Sequence, residues 1–180
     1  FLRPLFRQNL IDWKGTVFFM KLASVLRSLW PVYEAEAHCD IPCGIFDPIS
    51  AKIGAQTVLK MVMRLEAMEP PSPSSSADER RTSFNTANRY IVVKEEHAQL
   101  VKKELDILWH DYFRPDHLEK YPDLHNMFWT AAKLAGKNKQ SVDLEAAKQL
   151  VGCVDTIAEI FWATKGVTYS DPNADVRFGT

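Results

Sequence analysis

Leu150-Val151-Gly152-Cys153-Val154-Asp155-Thr156-Ile157-Ala158-Glu159-Ile160-Phe161 is the stretch on which the fold turns. Its large apolar residues Leu150, Val154, Ile157 and Phe161 recur at i, i+4, i+7 and i+11, the spacing that aligns side chains on one face of an α-helix. Three other segments repeat the pattern. Val101, Leu105, Leu108 and Tyr112 mark a helix near 84–112, and Leu124, Phe128, Ala131 and Ala135 mark one that Gly136 is placed to end. Further upstream, Asp47-Pro48 reads as an N-cap with proline at the first helical position. Behind it Val58, Val62 and Leu65, with Met61 and Met68 alongside, carry a helix to about Met68. The helix that opened this reading ends near Lys165-Gly166.

Between the stripes, Glu69-Pro70-Pro71-Ser72-Pro73-Ser74-Ser75-Ser76 stops regular structure and reads as a flexible loop. Arg114 to Pro122 reads as a turn-rich link bracketed by Pro115 and Pro122. No strand-like alternation competes with the helices. The prediction is therefore an all-α protein, an antiparallel up-down four-helix bundle. Residues 167–180 read as a flexible tail.

Composition narrows the function classes. The 180 residues carry a formal net charge of -1 and are 46% hydrophobic, which suits one globular domain with appendages. No basic cluster is interleaved with aromatics, so nucleic acid is not an expected partner. No apolar run approaches the length that crosses a bilayer, and Thr16-Val17-Phe18-Phe19-Met20 is far too short. Three cysteines with one tight pair make no disulfide framework. Cys153 sits within the apolar helical pattern, where packing is its expected role.

The chemistry is concentrated just before the first helix, in His38-Cys39-Asp40-Ile41-Pro42-Cys43-Gly44-Ile45-Phe46-Asp47-Pro48. An imidazole and two thiols within six residues can fold around one transition metal as an N-terminal hook. If His38 lies inside the chain, it gives three ligands with Cys39 and Cys43, a set that suits zinc with one open position or a weak copper site. If His38 is the first residue, its free amine becomes a further donor. The amine, the Cys39 backbone nitrogen and the Cys39 sulfur then close consecutive small chelate rings. With the Cys43 sulfur they make a planar N2S2 set, the geometry of low-spin Ni(II) or Cu(II), and the imidazole is left to approach axially. Such strong donors lower the metal's potential and favour one-electron redox chemistry. Cys39-x-x-x-Cys43 departs from the C-x-x-C spacing of thiol redox pairs, and no βαβ pattern surrounds it.

What precedes His38 reads differently. Residues 1–37 hold Arg3, Arg7, Lys14, Lys21 and Arg27, with Asp12, Glu34 and Glu36 as their acids. Ala35-Glu36-Ala37 is a small-x-small sequence of the kind processing peptidases accept. A leader (1–37) ending at Ala37 is expected, and its removal would turn an amide nitrogen into the amine donor. The sequence begins with Phe1, and Met20 is an alternative start.

The hook resembles the nickel superoxide dismutase motif H-C-D-x-P-C-G-x-Y-D-P and departs from it only at Phe46. Leu108-Trp109-His110-Asp111-Tyr112-Phe113-Arg114-Pro115 is similar to that family's L-W-x-D-Y-F-K-P. Glu119 to His125 resembles its E-K-Y-P-E-L-H, and Ile160 to Lys165 its I-F-W-E-T-K. The blocks lie in order across 38–165, so 38–166 is the implied enzyme domain.

The resemblance implies a four-helix bundle assembled as a homohexamer, with one nickel per subunit. The implied reaction is 2 O2⁻ + 2 H⁺ → O2 + H2O2, with nickel cycling between Ni(II) and Ni(III). The implied metal ligands are the His38 amine and imidazole, the Cys39 amide and thiolate, and the Cys43 thiolate. Asp40 and Pro42 would shape the hook around a cis Ile41–Pro42 bond. Tyr112 would stand near the substrate approach, Arg114 would replace a lysine that steers superoxide, and Trp162 would pack behind the hook. Tyr112, Arg114 and Asp40 are thus the candidate catalytic residues.

Three positions depart from the pattern. Phe46 lacks the hydroxyl of the usual tyrosine, Gly54 stands where a carboxylate is common, and His97 where an arginine is. The remaining histidines, His110, His117 and His125, are expected to be surface or satisfied polar residues. Superoxide, a leader-processing peptidase and copies of the chain itself are the expected partners, in the cytoplasm, with export or organelle targeting left open. The alternatives are a nickel- or copper-sequestering protein without turnover, and a thiol-redox or zinc enzyme using Cys39 and Cys43.

Overall fold

The computed structural model describes residues 44–179, all within the unit that runs from His38 to Thr180. The expected leader, the donors His38, Cys39 and Cys43, Asp40 and the Ile41–Pro42 bond lie outside the described residues. Six α-helices follow in order: α1 (Ile49–Glu66), α2 (Ala77–Ile107), α3 (Pro115–Lys120), α4 (Leu124–Gln140), α5 (Leu144–Thr164) and α6 (Ala174–Phe178). A π-helical turn, Leu108–Tyr112, prolongs α2. No strand occurs among the described residues.

The four long helices close a ring in which α1 packs on α2 and α5, and α4 packs on the same two. Their directions alternate. Gly54, early in α1, meets His97 and Val101, late in α2, while Lys94 of α2 reaches Asn138 near the end of α4. This is the antiparallel up-down bundle.

The stripes read from the sequence form its centre. Val58, Val62, Val101, Leu124, Leu150, Val154, Ile157 and Phe161 are all inaccessible to solvent. Burying each such side chain contributes roughly 1.5–3 kcal/mol relative to leaving it exposed. Alanines at 51, 55, 98, 131, 135 and 147 fill the remaining core positions and let the helix axes approach closely. The approach is tightest at Gly54, where an added Cβ would lie 2.9 Å from Val101 Cγ2 and 3.3 Å from the His97 carbonyl.

Several stretches differ from the sequence expectation, each for a local reason. α2 begins at Ala77, not near 84, because Ser76 and Glu79 form a capping box. The Glu79 N–H donates to Ser76 Oγ at 3.2 Å, and the Ser76 N–H to Glu79 Oε2 at 2.7 Å. The link after Arg114 contains α3, started by Pro115 at its first position.

Gly136 does not end α4, which continues to Gln140. A helical glycine costs about 1 kcal/mol relative to alanine, and Lys94 offsets that cost. Its buried ammonium donates to the carbonyls of Asn138, Lys139 and Ser141, at the negative end of the helix dipole. Burial lowers the proton affinity of this lysine, and Glu95 opposes the effect.

The segment after α5, expected to be loose, is fastened to α1. Lys52 is 5% exposed, and its Nζ lies 2.9 Å from Asp155, 3.1 Å from Asp171 and 3.0 Å from the Tyr169 hydroxyl. Arg177 grips Asp171 with two bonds of 3.0 and 2.8 Å, and Lys60 Nζ donates to the Gly179 carbonyl at 2.6 Å. No apolar periodicity announces such a strap, because ion pairs hold it.

Candidate active site

The chain leaves the hook at Gly44, whose φ of +67° is a left-handed conformation that glycine adopts without strain. Phe46 then turns inward, and Asp47 Oδ1 accepts the Ile49 N–H at 2.8 Å, which fixes the entry to α1. Helix assignment starts at Ile49, one residue later than expected, with Pro48 buried at the cap position.

The second wall comes from the π turn. Widening the helix lets the Phe113 N–H reach the Leu108 carbonyl at 3.0 Å, so the chain swings out and Tyr112, Arg114 and His117 follow closely on one another. The third wall is the last turn of α5. Together Gly44, Phe46, Asp111, Tyr112, Arg114, His117 and Thr164 line a cavity of ≈ 220 Å³.

Tyr112 is the hub of this cavity. Its ring lies 4.5 Å from Phe161, 5.1 Å from Phe113, 5.5 Å from Phe46 and 5.6 Å from His117, centre to centre. Lys165 Nζ sits 5.2 Å from the same ring, within cation–π range. The Tyr112 hydroxyl is 2.6 Å from Thr164 Oγ1, and the Thr164 hydroxyl donates to the Phe161 carbonyl at 2.6 Å. Threonine has one proton to give, so Tyr112 is the donor in the pair. The phenol oxygen is left with its acceptor lone pairs.

Arg114 and His117 form the polar side. The Arg114 N–H donates to His117 Nδ1 at 3.3 Å, and the guanidinium pairs with Asp116. The imidazole stacks on Tyr112 and meets Phe113 edge-on. Burial pushes its proton affinity below the ordinary histidine value, and Asp116 works in the opposite direction.

Tyr112 and Arg114 thus line one cavity together with Gly44. Asp40, His38, Cys39 and Cys43 lie outside the described residues, and among those described no group of three metal-binding side chains occurs. Trp162 is half-buried behind Asp47 and Ile49, on the wall of a separate cavity of ≈ 300 Å³.

Gly54 cannot be a vacant carboxylate slot in this backbone, since α2 occupies the space of its missing Cβ. His97 Nδ1 is satisfied by the Val93 carbonyl at 2.8 Å. His110 likewise bonds the Asp106 carbonyl at 2.9 Å, and His125 meets Trp109 edge-on. Cys153 is half-buried against the core, and burial raises its thiol pKa.

His117 and Thr164 were missed as site residues. Thr164 lies 52 positions from Tyr112, and no spacing rule links them. His117 carried a faint signal, three residues after Arg114, at helix-start spacing.

The described residues form a cavity beside Gly44, and the sequence carries the candidate donors just before it. Two thiolates and an imidazole, joined by an amine if His38 is the first residue, would be a strong-field set that fits nickel. Comparison with known proteins agrees. A model of the nickel-containing superoxide dismutase family matches residues 33–165. The nickel superoxide dismutase of Streptomyces seoulensis is 35% identical over 135 residues, 75% of this chain and 93% of that protein. A solved nickel-containing superoxide dismutase, with nickel ligation of the oxidised state, is 35% identical with a TM-score of 0.61. The match covers 72% of this chain and all of that one. Another, carrying phenylalanine in place of tyrosine at its ninth residue, matches at 34% identity and a TM-score of 0.58, over 72% of this chain and all of that one.

Proposed function

The chain belongs to the nickel-containing superoxide dismutase family, and from that premise we propose how its own residues carry the reaction. It is a superoxide dismutase, an oxidoreductase whose cofactor is nickel; neither metal sequestration nor a zinc or thiol enzyme is favoured. The His38 amine and imidazole, the Cys39 amide and thiolate, and the Cys43 thiolate would hold the metal. Nickel bound there supplies the one-electron cycling between Ni(II) and Ni(III) that alternately oxidises and reduces superoxide.

One observation carries the assignment of the approach. Gly44, the residue after Cys43, lines the same cavity as Tyr112 and Arg114. Any substrate reaching the hook from that side passes these side chains. Arg114 attracts the anion. Tyr112, its own proton committed to Thr164, accepts a hydrogen bond from water or protonated product. Phe46 closes the apolar side and offers no hydroxyl. Counted from His38, Phe46 is the ninth residue, the position at which one solved relative carries phenylalanine in place of tyrosine. Asp40 would help to shape the hook.

Maturation completes the site on this reading. A peptidase removes residues 1–37 after Ala37 and frees the His38 amine. The hook needs both thiols reduced, which favours the cytoplasm. Phe84 and Val92, exposed on α2, offer apolar surface for the homohexamer. The test is N-terminal sequencing and metal analysis of protein matured in cells supplied with nickel. A chain beginning at His38 with one nickel per subunit is the expected result. A mature chain beginning elsewhere while retaining nickel and activity would overturn the ligand assignment.

A further inference from the structure

Arg114 does not present a bare charge to the cavity. Its Nε and Nη2 each lie 3.3 Å from an oxygen of Asp116, a fork-to-carboxylate pair at the cavity mouth. The two side chains are 60% and 62% exposed, so the pair is open to solvent and to incoming ions. Asp116 Oδ2 also lies 3.9 Å from Nε2 of His117, which is 12% exposed.

Among the described residues the other charges nearby are few. Asp111 is on the cavity wall, Lys165 lies over the Tyr112 ring, and Lys120 acts on His117 from the end of α3. A guanidinium paired in this way acts on a distant anion largely as a dipole, whose field falls faster than that of a free charge.

Superoxide is a small monoanion, and its rate of entry depends on the potential at the mouth. We propose that Asp116 is a specificity-determining residue for the dismutation: paired with Arg114, it sets the positive charge that superoxide meets and so the rate of substrate entry. The inference rests on the reading that this cavity is the substrate's approach. Asp116 restrains entry, and His117 modulates the restraint, because a protonated imidazole beside Asp116 returns one positive charge to the mouth.

The test measures kcat/KM for superoxide by pulse radiolysis on nickel-loaded protein at about pH 8, where His117 is neutral. Asp116→Asn is expected to raise kcat/KM about two- to fivefold at an ionic strength of about 10 mM. The gain should fall towards unity at about 0.5 M, where the screening length is only a few ångströms. Asp116→Glu, which keeps the charge, should stay near the parent rate.

A second readout needs no turnover. In metal-free protein, followed by proton NMR of the imidazole, Asp116→Asn should lower the pKa of His117. A flat or reduced rate in Asp116→Asn at low salt, a gain that persists at high salt, or an unmoved His117 would each overturn the proposal. Arg114→Met separates the two readings. If it leaves kcat/KM unchanged, the cavity is not the approach. If it lowers the rate while Asp116→Asn does not raise it, only the role of Asp116 fails.

Discussion

Replacing Lys52 by methionine isolates the ion cluster that fastens residues 167–179 to the bundle. Methionine keeps most of the buried stem and removes the ammonium. Asp155 and Asp171 then lose a partner at 2.9 and 3.1 Å, and Tyr169 loses one at 3.0 Å. Breaking a fully buried pair typically costs about 3–5 kcal/mol, because a charge is left uncompensated. Two facts discount that figure: Asp155 is 36% exposed, and Asp171 retains Arg177. About 2 kcal/mol remains, or a melting temperature lower by roughly 5–8 °C for a domain of this size.

The pH dependence has a definite sign. Burial disfavours the Lys52 ammonium, but bonds to Tyr169, Asp155 and Asp171 outweigh it and raise the pKa above the ordinary lysine value. The stability it contributes is therefore present below about pH 10 and lost only as pH rises through the raised value. The bond from Arg177, and then Lys52, depresses Asp171. Its contribution is present above about pH 4 and disappears as pH falls through the lowered value. Melting followed by circular dichroism at matched protein concentration should show the full difference at pH 7 and a shrinking one as pH falls through the lowered Asp171 value. Equal melting temperatures at pH 7, or a difference undiminished in acid, would refute the electrostatic account. Trypsin provides a check, since release of the strap should free the backbone after Lys165 and around Arg177 for early cleavage.

Two further outcomes test the bundle. Phe161→Ala deletes the largest fully buried side chain and the ring closest to Tyr112, and should cost about 3–5 kcal/mol in urea unfolding with the slope unchanged. Ser76→Ala removes one half of the capping box at α2 and should cost about 1 kcal/mol by the same measurement; a neutral result would mean the box is not formed in solution.

The bundle was legible because its information is local and periodic. Leu150, Val154, Ile157 and Phe161 carry a 3.6-residue repeat that only a helix can bury on one side, and all four are fully buried. Boundaries were less legible where a side chain overrides propensity. Ser76 looked like the end of a Pro/Ser loop, yet its hydroxyl and Glu79 start α2 seven residues early. Gly136 looked like a stop, yet Lys94, more than forty positions away, secures the carbonyls that let α4 run on. The strap was illegible for the same reason: its anchors are single polar side chains matched across 117 to 121 positions, from Lys52 to Tyr169 and from Gln56 to Arg177.

The site divides along the same line. The hook is a contiguous motif whose residue types narrow the metal to nickel, copper or zinc, and motif resemblance pointed to nickel before any fold was known. The cavity proposed as the approach to it is assembled from Gly44 and Phe46, the π turn, and the last turn of α5, and only packing brings these together. Motif similarity found Tyr112 and Arg114 but was silent on what holds them. Thr164 accepts the tyrosine's O–H, His117 accepts the Arg114 N–H, and Asp116 pairs with its guanidinium. A substitution judged conservative along the chain, such as arginine for lysine at 114, is therefore not conservative in three dimensions. An ammonium has no planar fork to lock onto Asp116 with two bonds. Restoring the ammonium with Arg114→Lys should loosen that pair and expose more charge to the anion. The expected result is a steeper fall of kcat/KM with added salt than the parent shows, and an unchanged salt dependence would mean that the guanidinium's geometry has no part in steering.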